Sequence, residues 1–148
     1  MLKNFITFLI FFCICTSANA KKIKIISDEL EIIRISNTSI FYGNVYALED
    51  NLQIWSEKLI VTSSDDEKKI EEITALGNVK IARDELTING SIAKYDPAKN
   101  ILIAYGKVEV IQNNNIIQCD EIILDLEKSS SIMKSGSNRR VEALIVNE

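Results

Sequence analysis

From Ile23 onward, apolar residues alternate with polar ones at a spacing of two, and the three-to-four spacing of an amphipathic helix is almost absent. Phe41, Gly43, Val45 and Ala47 fall on one parity, as do Leu52, Ile54 and Ser56. Later, Ile101, Ile103 and Tyr105 share a parity, with Val108 and Val110 continuing beyond a glycine. With Ile, Val, Tyr and Thr abundant, this pattern predicts half-buried β-strands and an all-β fold. Turns are marked by "SSDDEKK" at 63–69, "RDE" at 83–85, "YDPAKN" at 95–100, which holds the only proline, and the asparagine run 113–115.

The strands are organised as a repeat. The segments "YGNVYA" at 42–47, "LGNVKI" at 76–81 and "YGKVEV" at 105–110 share a glycine followed two residues later by valine. A second box, "ISDELEI" at 26–32, recurs as "WSEKLIV" at 55–61, "QCDEIIL" at 118–124 and, more weakly, "NGSIAKY" at 89–95. Alignment puts Ser27, Ser56, Gly90 and Cys119 in one small-residue register, which steps by 29, 34 and 29 residues. Asp28, Glu57, Ser91 and Asp120 follow in the next register. The glycines Gly43, Gly77, Gly106 and a looser Gly136 step by 34, 29 and 30, so box and glycine alternate four times.

Each unit of about 30 residues reads as a strand bent at the small and acidic pair, a turn, and a strand bent at its glycine. Stacked units of this kind form an elongated body of two facing antiparallel sheets with apolar residues between them and open edges at both ends. No helix is visible in the sequence to cover those edges, which favours pairing with other proteins over leaving them bare.

The first twenty residues differ from the rest: one charge at Lys3, an apolar run of about 11 residues from Phe5 to Cys15, and Ala18-Asn19-Ala20. This is the pattern of a cleaved signal peptide, and the run is well below the roughly 20 residues that span a bilayer. Cleavage leaves 128 residues, 21–148, as one domain with 16 basic and 21 acidic side chains. A net charge of about −5 on that domain argues against nucleic acid as a partner. Cys13 and Cys15 leave with the leader, so Cys119 stands alone and no intramolecular disulfide is available. The absence of histidine removes Ser-His-Asp and Cys-His nucleophiles and the commonest zinc sites.

What remains as candidate chemistry has a structural explanation. Asp28, Glu57 and Asp120 invite a glycosidase or calcium reading, but they recur once per unit, as bend residues would. Cys119 occupies the place of Ser27, Ser56 and Gly90, which is that of a small packing residue. Trp55 and Tyr42 read as wall residues rather than a sugar platform, and Lys21, Lys22, Lys24, Arg139 and Arg140 as solvated ends.

In its "IISDEL" at 25–30, "FYGNV" at 41–45, "LGNVKI" and "YDPAKN", taken in that order and at that spacing, the chain resembles the LptA/OstA family of periplasmic lipopolysaccharide-transport proteins over residues 23–143. The resemblance implies a β-jellyroll of stacked V-shaped strand layers whose apolar interior opens along one side. It implies a carrier of lipopolysaccharide with no cofactor and no covalent chemistry. It also implies an LptC-like inner-membrane domain at the N-terminal edge, an LptD-like outer-membrane translocon at the C-terminal edge, and head-to-tail self-association. Some members carry a longer basic or proline-containing C-terminus, whereas this sequence stops at "RRVEALIVNE".

Burying acyl chains is favourable by about 0.8 kcal/mol per methylene, so an aliphatic groove can hold a lipid without a polar site. Alternation parity places Leu30, Ile32, Phe41, Val45, Ile54, Leu59, Val61, Val79, Ile81, Ile88, Tyr95, Val108, Ile122 and Leu124 on the inner faces. A dry β-sandwich core would show the same pattern. A different class of function also fits: an adaptor β-domain tethered to the inner membrane by an uncleaved leader.

Overall fold

The computed structural model describes residues 21–66 and 69–147; the expected leader, with its cleavage site, lies outside them. The described chain is strand and turn apart from one 3-10 turn at Arg34–Ser36, and none of its helices is long and apolar enough to cross a membrane.

The strands are β1 (Ile23–Ile26), β2 (Glu29–Ile33), β3 (Thr38–Glu49), β4 (Leu52–Ser63), β5 (Ile70–Arg83), β6 (Leu86–Asp96), β7 (Ile101–Gln112), β8 (Asn115–Asp125), β9 (Ser130–Lys134) and β10 (Glu142–Leu144). All pair antiparallel in one sheet along β1-β3-β4-β5-β6-β7-β8-β10. Off this path, β2 pairs with the first half of β3 and β9 with the second half of β8. Thus β1 with β2, and β9 with β10, are split strands at the two edges, and six long strands run unbroken between them. Every turn expected from the sequence joins neighbouring strands.

The two facing sheets expected from the sequence are two arms of this one sheet. Each long strand changes direction near its middle. In β3, β5 and β7 the kink falls on Gly43-Asn44, Gly77-Asn78 and Gly106-Lys107, and all six residues have positive φ, between 45° and 87°. Two left-handed residues in succession break the pleat, and the ladder shifts register across each kink. Glycine is needed first for its conformation and second for space. A Cβ on Gly77 would lie 2.4 Å from Glu57 Oε2, one on Gly43 2.5 Å from Asp28 Oδ2, and one on Gly106 2.7 Å from the Ser91 side chain.

The acidic register is therefore the partner of the glycine motif. Asn78 donates to Glu57 (2.6 Å), Asn44 donates to Asp28 (3.1 Å), and Ser91 donates to the Gly106 carbonyl (3.1 Å). Asparagine tolerates the left-handed region and supplies the amide that the carboxylate accepts, which accounts for Gly-Asn as a pair. In the small register, the hydroxyls of Ser27 and Ser56 donate to the carbonyls two residues on. Gly136 departs from the expected fourth copy. Its φ is not positive, a Cβ there would sit an ordinary 3.4 Å from Asp120, and its N–H donates to that carboxylate (2.7 Å) between the separated β9 and β10.

Beyond the kinks, Val45, Val79 and Val108 are each 2% exposed. They begin a single buried cluster to which both arms contribute, including Ile54, Ile81 and Ile88 from one and Leu59, Ile73 and Ile122 from the other. One parity differs from expectation. On β7 before its glycine the inward residues are Leu102 and Ala104, whereas Ile101, Ile103 and Tyr105 face outward, half-buried. The extra bulge residue keeps inward parity constant through Gly106, so Val108 and Val110 share the parity of Leu102 rather than that of Ile101.

Candidate functional site

The inner faces are rows of directly paired residues that run across the sheet. On the first arm, the row beside the kink reads Leu30, Phe41, Leu59, Ala75, Ala93, Ala104, Ile122 and Met133. The next row outward reads Ile32, Ser39, Val61, Ile73, Tyr95, Leu102, Leu124 and Ser131. On the second arm, Val45, Val79 and Val108 lie at the kink against the small residues Ser56, Gly90 and Cys119. Beyond them runs Ile25, Ala47, Ile54, Ile81, Ile88, Val110 and Ile117.

All fourteen residues expected on the inner faces occupy these rows. They differ in what covers them. Leu59, Ile88 and Ile122 are fully buried, Phe41 is half-buried, and Leu30 and Ile32 are 52% and 63% exposed, since among the described residues no strand lies beyond β2. The apolar interior is thus laid bare at its N-terminal edge. Repeat alignment already puts Ala93 in register with Leu30, Leu59 and Ile122, but sequence reasoning missed Ala75 and Ala104, which with Ala93 thin the first row at mid-sheet. Alanine carries little hydrophobic signal, and only cross-strand register shows that the three line up.

At the opposite end the arms separate around a cavity of about 530 Å³. Its apolar walls are Leu86, Val110 and Ile117 from one arm and Ile122, Leu124 and Met133 from the other, and its rim is charged and polar, with Arg83, Asp84, Glu85 and Asp125. This volume lies within the roughly 300–1,000 Å³ typical of small-ligand sites. A cavity of about 540 Å³ by the β7–β8 kink mixes Lys107, Arg139 and Arg140 with Glu109, Asp120 and Glu142, so it offers acyl chains little.

The outermost inward row of the second arm turns polar. Glu49, paired with Ile23 and Leu52, is 7% exposed and accepts a hydrogen bond from the Tyr95 hydroxyl (2.9 Å) on the other arm. Burial and that bond to a carboxylate hold the Tyr95 phenol well above its ordinary value. Lys21 is exposed and also reaches Glu49 (3.7 Å), the Pro97 carbonyl and Asn100, while the exposed Arg139 pairs with Asp120 at 3.2 Å.

The remaining candidates are structural. Asp28, Glu57 and Asp120 are each engaged at a kink or its equivalent. Among the described residues no three His, Cys, Asp or Glu side chains cluster as a metal would require. Burial pushes the Cys119 thiol up, away from the reactive thiolate. On the outer face Trp55 packs against Tyr46 with ring centroids 5.3 Å apart, under the ammonium of Lys80, and Lys58 lies over Tyr42. These are wall contacts.

An apolar interior running the length of a kinked, open-edged sheet is a distinctive architecture. Residues 24–130 match the family described as "LptA/(LptD N-terminal domain) LPS transport protein". The chain belongs to this family. Among solved structures it is similar to LptH from Pseudomonas aeruginosa, described as the LptA homologous periplasmic component of the conserved lipopolysaccharide transport device. The TM-score is 0.77 at 14% identity, over 86% of this chain and 96% of that one. At that identity the likeness establishes the shared fold, the β-jellyroll. A search of curated proteins finds no match.

Proposed function

We propose that the protein is a periplasmic carrier and bridge for lipopolysaccharide, holding acyl chains between the two arms on their way from the inner to the outer membrane. The observation that carries this reading is the continuity of the apolar interior, from the exposed Leu30 and Ile32 at one edge to the cavity walled by Ile117, Ile122 and Met133 at the other. Transfer of acyl chains into such an interior needs no cofactor and no bond chemistry, because each methylene removed from water contributes about 0.8 kcal/mol.

Both sheet edges support assembly. Among the described residues, β1 and β2 leave one side of their backbone without a strand, and so do β9 and β10, so a partner adds to either edge by main-chain hydrogen bonding. The N-terminal edge takes an LptC-like domain, the C-terminal edge an LptD-like translocon, and the two edges can take one another in head-to-tail copies. Exposed Ile26 beside the first edge and Ile132 and Leu144 beside the second give these contacts an apolar component.

Photo-crosslinking amino acids at Val45 or Val79, both buried on the inner face, are expected to capture lipopolysaccharide in cells. Capture confined to the exposed Lys99 would refute the interior as the binding site.

A further inference from the structure

We propose that Lys21, Glu49, Arg83, Tyr95 and Asn100 form a latch that ties the tips of the two arms together, and that acyl chains pass through the open side of the jellyroll only when it is undone. This rests on the carrier reading.

The latch consists of side chains from one arm that reach partners on the other. Glu49 and Arg83 end β3 and β5, and Lys21 precedes β1, all on the second arm. Tyr95 lies near the end of β6, Pro97 and Asn100 in the turn after it, and Leu126 just past β8, all on the first. The Tyr95 hydroxyl donates to Glu49 Oε1 at 2.9 Å and lies 3.4 Å from Asn100 Oδ1. The Lys21 ammonium donates to the Pro97 carbonyl at 3.3 Å and to Asn100, and lies 3.7 Å from Glu49. The Arg83 guanidinium donates to the Leu126 carbonyl at 3.0 Å.

Position makes these contacts a gate. They surround a polar cavity of about 380 Å³ at the arm tips. Arg83 and Leu126 also line the neighbouring cavity that holds Ile117, Ile122 and Met133, so their bond is the partition between the two. A lipid held in the interior would have to cross that partition to leave sideways.

Energetics make the latch releasable. Glu49 Oε2 is buried and accepts no hydrogen bond among the described residues. A carboxylate held out of water with one oxygen unsatisfied offsets much of what its other contacts contribute. An apolar pair at this site would close the arms more firmly. The polar set closes them only marginally, and water entering on opening would satisfy Oε2.

The test uses the mature chain, residues 21–148, with Cys119→Ser and Ala75→Cys, so that one thiol reports from the inner face. Two rates are compared with and without Arg83→Gln plus Tyr95→Phe: labelling by N-ethylmaleimide and uptake of cis-parinaric acid. Both are expected to rise about a hundred-fold, roughly ten-fold for each of the two charge-assisted hydrogen bonds removed. Glu49→Gln, which keeps the shape, is a second variant should the first unfold early by circular dichroism. Unchanged labelling in a folded variant overturns the latch. Faster labelling with no uptake of parinaric acid by any form overturns the carrier reading instead.

Discussion

Replacing Gly77 by alanine tests whether the kinks, rather than the core alone, hold the fold. The residue has φ +83°, a region that costs a non-glycine residue about 1–2 kcal/mol. The added Cβ would lie 2.4 Å from Glu57 Oε2 and 3.1 Å from Glu57 Cβ, so the Glu57 side chain must swing away. That movement breaks its 2.6 Å bond from Asn78, which at an exposed site contributes about 0.5–1 kcal/mol. The sum is roughly 1.5–3 kcal/mol, or a fall in Tm of roughly 5–15 °C for a domain of this size. Thermal unfolding followed by circular dichroism measures it, with Gly136→Ala as control. Gly136 lacks the positive φ and the clash, so its substitution should stay within about 0.5 kcal/mol. A double-mutant cycle sharpens the test, because Glu57→Ala should cost less in the Gly77→Ala background than in the native chain. Equal Tm losses at Gly77 and Gly136, or strictly additive effects of Gly77→Ala and Glu57→Ala, would refute the reasoning.

Two further outcomes are expected. Leu59, fully buried between Phe41 and Ala75 on the kink-side row, should lose about 2–5 kcal/mol as Leu59→Ala in urea denaturation, and a loss below about 1 kcal/mol would mean that the arms do not pack there. Stability should also fall at high pH through Tyr95, whose folded-state phenol is held above the unfolded value near 10 by burial and by the Glu49 carboxylate. A raised value means that its contribution is fully present below about pH 10 and is lost as pH rises beyond that. Unfolding free energies from pH 8 to 11 should show the decline, and Tyr95→Phe should flatten it.

Much of the interior was legible because side-chain direction in a strand has a period of two and the repeat marks where that period is interrupted. Leu59, Ile81, Ile122 and their neighbours follow from parity within single strands. Leu102 and Ala104 did not, because the bulge keeps inward parity constant through Gly106 where the sequence reading let it change, and nothing local distinguishes Ile101 from Leu102 as the inward residue. Ala75 and Ala104 were missed for a different reason: with Ala93 they matter as a row, and a row exists only once register is known.

Sequence alone was enough to establish an all-β repeat, its turns, the glycine and acidic registers, and the family resemblance, since all of these are local or periodic. Why an acidic residue accompanies Gly43 and Gly77 was decided only in three dimensions, where Asp28 meets Gly43 and Glu57 meets Gly77 across 15 and 20 residues of chain. The same holds for the contacts that close the arms. Lys21 and Asn100, or Arg83 and Leu126, lie too far apart along the chain for any spacing rule to pair them. Their meeting depends on the angle at which each strand bends, and that angle is a property of the packed sheet as a whole.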